Sequence, residues 1–171
     1  MDRALYLIGF MGAGKSTVGR ILSRLLDRPF CDLDKEIEIT AGRGIDEIFD
    51  KVGEEGFRDL EYAALERICG HPDAVVACGG GVVTDERSVD LLETTGDVVC
   101  LSVTADEALS RIAGEIHGRP LLAGPDPVGA ASLLGLRERL YERVADFTVD
   151  TVGKSADTVA QRIIEWLELE R

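Results

Sequence analysis

With 171 residues, 45% of them hydrophobic and 30% charged, the chain suits one soluble globular domain large enough to bury a core of its own. Asp and Glu number 32 against 19 Lys and Arg, and a formal charge of -13 excludes a broad nucleic-acid-binding surface, so any positive charge a site needs has to be concentrated locally. No apolar run is long enough to cross a membrane, and the start MDRALYLIG lacks the basic-then-apolar pattern of a signal peptide, so a cytoplasmic location is expected.

Residues 4–8, ALYLI, form a short continuous apolar run, the mark of a parallel strand covered on both faces. The run leads into Gly9-Phe10-Met11-Gly12-Ala13-Gly14-Lys15-Ser16, which matches G-x-x-x-x-G-K-[ST]. Residues 17–26 follow at helical spacing, with Val18, Ile21, Leu22, Leu25 and Leu26 as the apolar positions. Between a strand and a helix, that motif folds its backbone N–H groups into a nest at a helix N-terminus, where a polyphosphate is favoured. Lys15 is expected to reach the β/γ-phosphates of ATP and the Ser16 hydroxyl to hold Mg²⁺, with Gly12, Ala13, Gly14 and Thr17 completing the nucleotide contacts.

Arg28-Pro29 ends the helix, and residues 30–33 make a second strand that runs into acids. In extended backbone Asp32 and Asp34 face one side, at the strand end where parallel α/β sheets bind ligands. One is expected to help hold Mg²⁺ through water and the other to accept or orient the proton of a hydroxyl nucleophile; capping a helix from about Lys35 is the plainer role for either. Residues 35–70 read as small helices interrupted at Gly42 and Gly44 and again at Gly53 and Gly56, an insertion suited to a second substrate. On it Arg58 and Glu61 stand one turn apart, as a solvated ion pair or as an anion site.

A third strand, 73–78, ends in Gly79-Gly80-Gly81, which lets a ligand approach the backbone closely, or turns without one. Thr84 is expected to cap a helix over 85–93, Gly96 to start the strand 97–103, and Thr104 to cap a helix reaching residue 113. From 111 to 127 the chain has arginines, glycines and prolines and no period, the composition of a lid that would bring Arg119 to the transferring phosphate. His117 has no acidic or cysteine company and reads as solvent-exposed. A helix over 130–145 carries Arg137, Arg139 and Arg143; a strand over 147–149 and a last helix follow, with Val159, Ile163, Trp166 and Leu167 as a core-facing stripe. Cys31, Cys69, Cys78 and Cys100 have no close spacing and read as buried free thiols. Five strands separated by helices predict one three-layer α/β domain with a five-stranded parallel sheet, of the P-loop NTPase and nucleoside-monophosphate-kinase type. Its core would be 1–33, 71–110 and 128–171, with a helical insertion at 34–70 and the lid at 111–127.

At this point the chain resembles the shikimate kinase family. GFMGAGKSTVGRILSRLL resembles its P-loop, FCDLDKEIE its aspartate pair, GEEGFRDLE its arginine helix, GGGVVT its glycine triplet, GRPLL its lid and RERLYERVAD its later arginine helix. The P-loop alone is shared by very many kinases and GTPases; the FRDLE, GGG and RPLL blocks together make the likeness specific. The resemblance implies Mg²⁺-dependent transfer of the γ-phosphate of ATP to shikimate, giving shikimate 3-phosphate and ADP. It implies that Asp34, Arg58, Gly80 and Gly81 hold shikimate, that Arg137 joins on its carboxylate, and that Asp34 acts near the nucleophile. Asp32 would belong to the Mg²⁺ shell, Lys15 and Arg119 would contact the phosphates, and Arg111 would lie beside adenine. A monomer without membrane or nucleic-acid partners is expected. DTVGKSADTV, after the last strand, departs from the pattern in lacking the asparagine or proline that often shapes the adenine pocket. A kinase for another small hydroxy acid such as gluconate, and a nucleotide-binding regulator without catalysis, are the other readings.

Overall fold

The computed structural model describes residues 3–113 and 127–170. Its centre is β1 (Ala4–Ile8), buried at all five positions, as a continuous apolar run should be when both faces are covered. It pairs in parallel with β3 (Val75–Ala77) on one side and β4 (Gly96–Ser102) on the other, Leu5 lying opposite both Val75 and Asp97. With β2 (Phe30–Asp32) and β5 (Phe147–Asp150) at the edges, the five-stranded order is β2-β3-β1-β4-β5.

That order contains one reversal. The chain goes from β1 outward to β2, then returns through β3, across β1 to β4, and on to β5. With right-handed crossovers, the reversal sends α1 (Lys15–Leu26) to one face of the sheet and the later crossovers to the other. Those later helices are α2 (Leu33–Ala41), α3 (Ile45–Ile68), α4 (Glu86–Thr95), α5 (Ala105–Ile112) and α6 (Pro127–Val144). The last helix, α7 (Ala156–Leu169), comes back to pack on α1. Its Val159, Ile163 and Leu167 are buried and Trp166 stacks on Phe147 with ring centroids 5.1 Å apart, the structural role expected of that tryptophan. A crevice therefore opens beyond the carboxyl ends of β1 and β3, where the crossovers diverge.

Several boundaries differ from the sequence reading for local reasons. Helix α1 starts two residues earlier than its apolar period, because Lys15 and Ser16 turn toward the crevice rather than the core. Asp85, not Thr84, caps α4: its carboxylate accepts from the Arg87 N–H at 3.0 Å. Thr84 is already committed to the tight turn after the glycines, its hydroxyl donating to the Gly81 carbonyl at 2.6 Å. In α3 the chain breaks at Gly53, with φ 70° and ψ -174°, while Gly56 stays helical. Helix α6 begins at Pro127, the last residue of the range read as a lid, and α5 ends with Arg111 and Ile112, the first two residues of that range. Residues 114–126, with His117 and Arg119, lie outside the described residues. All four cysteines are free, Cys78 and Cys100 buried, Cys31 and Cys69 half-buried. Among the described residues no helix is long and apolar enough to cross a membrane.

Gly96 shows how tightly β4 seats on β1. A Cβ there would stand 2.5 Å from the Ala4 carbonyl oxygen and overlap the Tyr6 ring. Gly96→Ala is expected to destabilise the fold by about 1–3 kcal/mol, read as a lower urea midpoint with an unchanged slope.

Candidate active site

The turn after β1 is shaped by three glycines at positive φ, Gly9 at 135°, Gly12 at 77° and Gly14 at 93°, a region that side chains avoid. Gly14 has no neighbour where its Cβ would be, so its requirement is conformational; at Gly12 a Cβ would also meet the Ala108 carbonyl at 2.7 Å. The turn delivers the N-terminus of α1, with its partial positive charge, to the crevice. Lys15 folds over the loop and donates to the carbonyls of Gly9 at 2.7 Å and Phe10 at 3.0 Å. The Ser16 hydroxyl donates to Asp32 Oδ2 at 2.6 Å.

Both aspartates reach this crevice, though not by the extended geometry expected. Asp32 ends β2 and caps α2, its Oδ1 accepting from the Lys35 N–H at 3.4 Å, and Asp34 already lies in the first turn of that helix. Gly12, Gly14, Lys15, Ser16, Thr17, Asp32, Asp34, Gly80 and Arg111 all line one cavity of about 360 Å³. Ala13 does not; its side chain is buried in the core. Ser16 and Asp32 offer hard oxygens on adjacent atoms, which fits Mg²⁺, an ion that takes one or two protein ligands and completes its octahedron with phosphate and water. Among the described residues no group of three or more His, Cys, Asp or Glu side chains forms a separate metal cage.

At the far wall the glycine triplet proves to be a steric device rather than a flexible turn. A Cβ on Gly79 would stand 2.6 Å from Glu61 Oε1 and 2.9 Å from Asp34 Oδ1; one on Gly80 would stand 3.5 Å from Arg137 Nη1; one on Gly81 would overlap the Arg58 guanidinium. Two carboxylates and two guanidiniums thus meet on three consecutive bare Cα atoms. The Arg58–Glu61 pair read as a surface ion pair or an anion site is buried, with Arg58 9% and Glu61 0% exposed, and Arg137 is only 4% exposed. Arg58 Nη1 donates to Glu61 Oε2 at 2.5 Å. Burial outweighs that partner and pushes the Glu61 carboxyl up to about 7, with Asp34 adding to the rise. Burial, with Glu61 nearby, also holds the Cys78 thiol far above its ordinary range, so it stays protonated and inert.

Sequence reading assigned no functional role to Tyr141. Its hydroxyl donates to the Gly80 carbonyl at 2.5 Å and bonds Arg137, and burial pushes its phenol up to about 12. Arg137 and Tyr141 are four residues apart on one helix, a spacing that could have linked them. At the other end of the cavity, Arg111 donates to the Gly12 carbonyl at 3.3 Å, the Thr151 hydroxyl at 3.1 Å and the Thr151 carbonyl at 2.9 Å. It ties the phosphate loop to the turn after β5, whose sequence departs from the expected pattern. Thr151, buried and bonded in turn to the Ser102 carbonyl at 2.9 Å, gave no signal in the sequence.

Chemically, the cavity combines a backbone nest at a helix N-terminus, an oxygen pair suited to a hard cation, and a neighbouring patch where two guanidiniums meet two carboxylates. Comparison with known proteins points the same way. The family model for shikimate kinase matches residues 11–168. A shikimate kinase of Halorhodospira halophila is 46% identical over 165 residues, covering 96% of this chain and 93% of the relative. One from Moorella thermoacetica is 45% identical, covering 98% of each chain. Among solved structures, shikimate kinase from Acinetobacter baumannii in complex with shikimate superposes with a TM-score of 0.94 at 37% identity, covering 99% of this chain and 94% of that one.

The contact of Gly81 with Arg58 yields a test. Gly81→Ala forces the guanidinium out of its seat, and overpacking of about 1–3 kcal/mol should raise the KM of a carboxylate-bearing acceptor about tenfold or more. The KM of the nucleotide should hardly move in the same steady-state assays.

Proposed function

The chain belongs to the shikimate kinase family, and we propose how its cavity and glycine triplet divide the work of moving the γ-phosphate of ATP to a hydroxyl of shikimate in aromatic amino acid biosynthesis. One observation carries this reading: Asp34, Arg58 and Arg137 converge on Gly79–Gly81 beside the cavity that holds Lys15, Ser16 and Asp32.

Arg58 and Arg137 take the carboxylate of shikimate, since paired guanidiniums bind a planar carboxylate with directed, charge-assisted hydrogen bonds. Gly80 and Gly81 form the floor on which the ring lies. Asp34 binds ring hydroxyls and accepts or orients the proton of the one that attacks. The N–H groups from Gly12 to Thr17 cradle the phosphates, with Lys15 released from its carbonyl partners to reach them. Ser16 and Asp32 would hold Mg²⁺, which would supply positive charge to offset that of the phosphates. Arg111 lies beside adenine, and Arg119 is assigned to the phosphates on its place in the GRPLL block alone. Residues 34–70, carried by helices α2 and α3, serve as the acceptor-binding insertion. The reading is completed by a monomer working in the cytoplasm. Catalysis under this scheme is positioning plus charge placed around the transferred group, with little covalent work for the protein.

A kinase for gluconate is disfavoured, because the full-length likeness is to shikimate kinases. In a coupled ADP-release assay, shikimate should give at least about 100-fold more turnover than gluconate; equal rates would sink the acceptor assignment while leaving the kinase class standing. The two aspartates should separate kinetically. Asp34→Asn, which keeps size but removes the proton acceptor, is expected to lower kcat at saturating Mg²⁺ and shikimate. Asp32→Asn should instead shift the Mg²⁺ dependence, and full kcat in Asp34→Asn would reduce that residue to binding.

A further inference from the structure

Glu61 has no part in that division, yet it is the most deeply buried charged side chain described, 0% exposed. Its two oxygens are treated unequally. Oε2 accepts from Arg58 at 2.5 Å, whereas Oε1 has no hydrogen-bond partner among the described residues. Around it stand Arg58 from its own helix α3, Asp34 from α2, Arg137 from α6 and the Cys78 thiol just past β3. Oε1 and Asp34 Oδ1 crowd the same bare point on Gly79, at 2.6 and 2.9 Å from where a Cβ would be. An anion in this place has one oxygen uncompensated and a second carboxylate beside it; a proton on Oε1 relieves both.

A bound acceptor adds a third negative charge, and it falls on the guanidinium that Glu61 uses. Like charges that share one counter-ion raise each other's affinity for protons. We propose that Glu61 takes up a proton from solvent when shikimate binds: in the free enzyme it serves as the internal counter-anion of Arg58, and in the complex it is neutral and leaves the guanidinium to the acceptor's carboxylate. The proton returns to solvent when the phosphorylated product leaves. This inference rests on the assignment of Arg58 and Arg137 to that carboxylate.

The sign follows from linkage. The complex binds more protons than the free enzyme, so affinity for shikimate falls as pH rises. With the free carboxyl at about 7, affinity is flat below that pH and weakens above it, until the higher value in the complex is passed. Between pH 6.5 and 8.5 the Kd should rise about threefold or more, bounded by tenfold per pH unit.

Titration calorimetry of the intact enzyme with shikimate at pH 7.5, in HEPES, MOPS and Tris, measures the uptake directly through the buffers' different ionisation heats. About 0.3–0.8 proton per shikimate is expected, since the free carboxyl is already partly protonated at that pH. The methyl ester of shikimate, which lacks the charge, should bind with almost none. Glu61→Gln keeps a carbonyl oxygen for Arg58 and so keeps the guanidinium in place, but should lose both the uptake and the pH dependence. Equal uptake with acid and ester, no uptake in the unsubstituted enzyme, or uptake retained in Glu61→Gln would each overturn the proposal, and the comparison of acid with ester needs no variant to fold. Arg58→Ala binding shikimate as tightly as the unsubstituted enzyme would instead overturn the carboxylate assignment beneath it.

Discussion

Four charged side chains share one patch of interior here because three consecutive residues contribute no side chain to it. Gly79, Gly80 and Gly81 follow β3 with unexceptional backbone angles, so what they provide is empty volume. That volume is taken by Glu61 and Asp34, by Arg137 and by Arg58 in turn. Burying two guanidiniums is tolerable only with anions alongside, and anions alongside are tolerable only with the guanidiniums present. The triplet therefore fixes an electrostatic arrangement as much as a shape. A methyl group at Gly79 or Gly81 would be felt first by the charged groups, whereas at Gly80 it would stand at ordinary contact distance from Arg137.

The sheet decides where this patch lies relative to the nucleotide. Reversal of the crossover direction after β1 leaves a crevice between the ends of β1 and β3, and the phosphate loop and the glycine triplet are the segments that leave those two strands. On the proposed division, donor and acceptor sites are neighbours because the strands are hydrogen-bonded neighbours. Further ties hold the surrounding helices in register. Arg87 bonds Asp85 and Asp59, joining the start of α4 to α3 one residue from Arg58, and Arg111 joins the phosphate loop to the turn after β5.

Much of this was legible in the sequence where one physical signal dominated. Continuous apolar runs marked the strands, and G-x-x-x-x-G-K-S marked the nucleotide end because its residue types are dictated by backbone geometry. Other features were hidden because their residues serve more than one purpose. Lys15 and Ser16 lie in a helix but face a cavity, so the apolar period missed the helix start. Asp32 both caps α2 and receives the Ser16 hydroxyl, so the two-residue spacing to Asp34 suggested a strand where a helix had already begun. Glu61 and Tyr141 have ordinary spacings, and only the fold of α3 and α6 around the triplet shows that one is sealed from water and the other anchors Gly80. Which acid Arg58 and Arg137 face was legible through family resemblance alone, since spacing does not encode a ring.

Arg58 is held on several sides, by Glu61, by Glu54 at 3.6 Å and by the bare face of Gly81. A free arginine side chain samples many rotamers, and freezing them costs about 2 kcal/mol. Here that loss of freedom occurs when the chain folds, so under the proposed assignment an incoming carboxylate meets a guanidinium already oriented and contributes nothing further to immobilising it. The entropy has been moved from the binding step to the folding step. A protein built this way is somewhat less stable than one with an apolar side chain in the same seat, and its grip on a small anion is correspondingly stronger than the number of contacts alone would suggest.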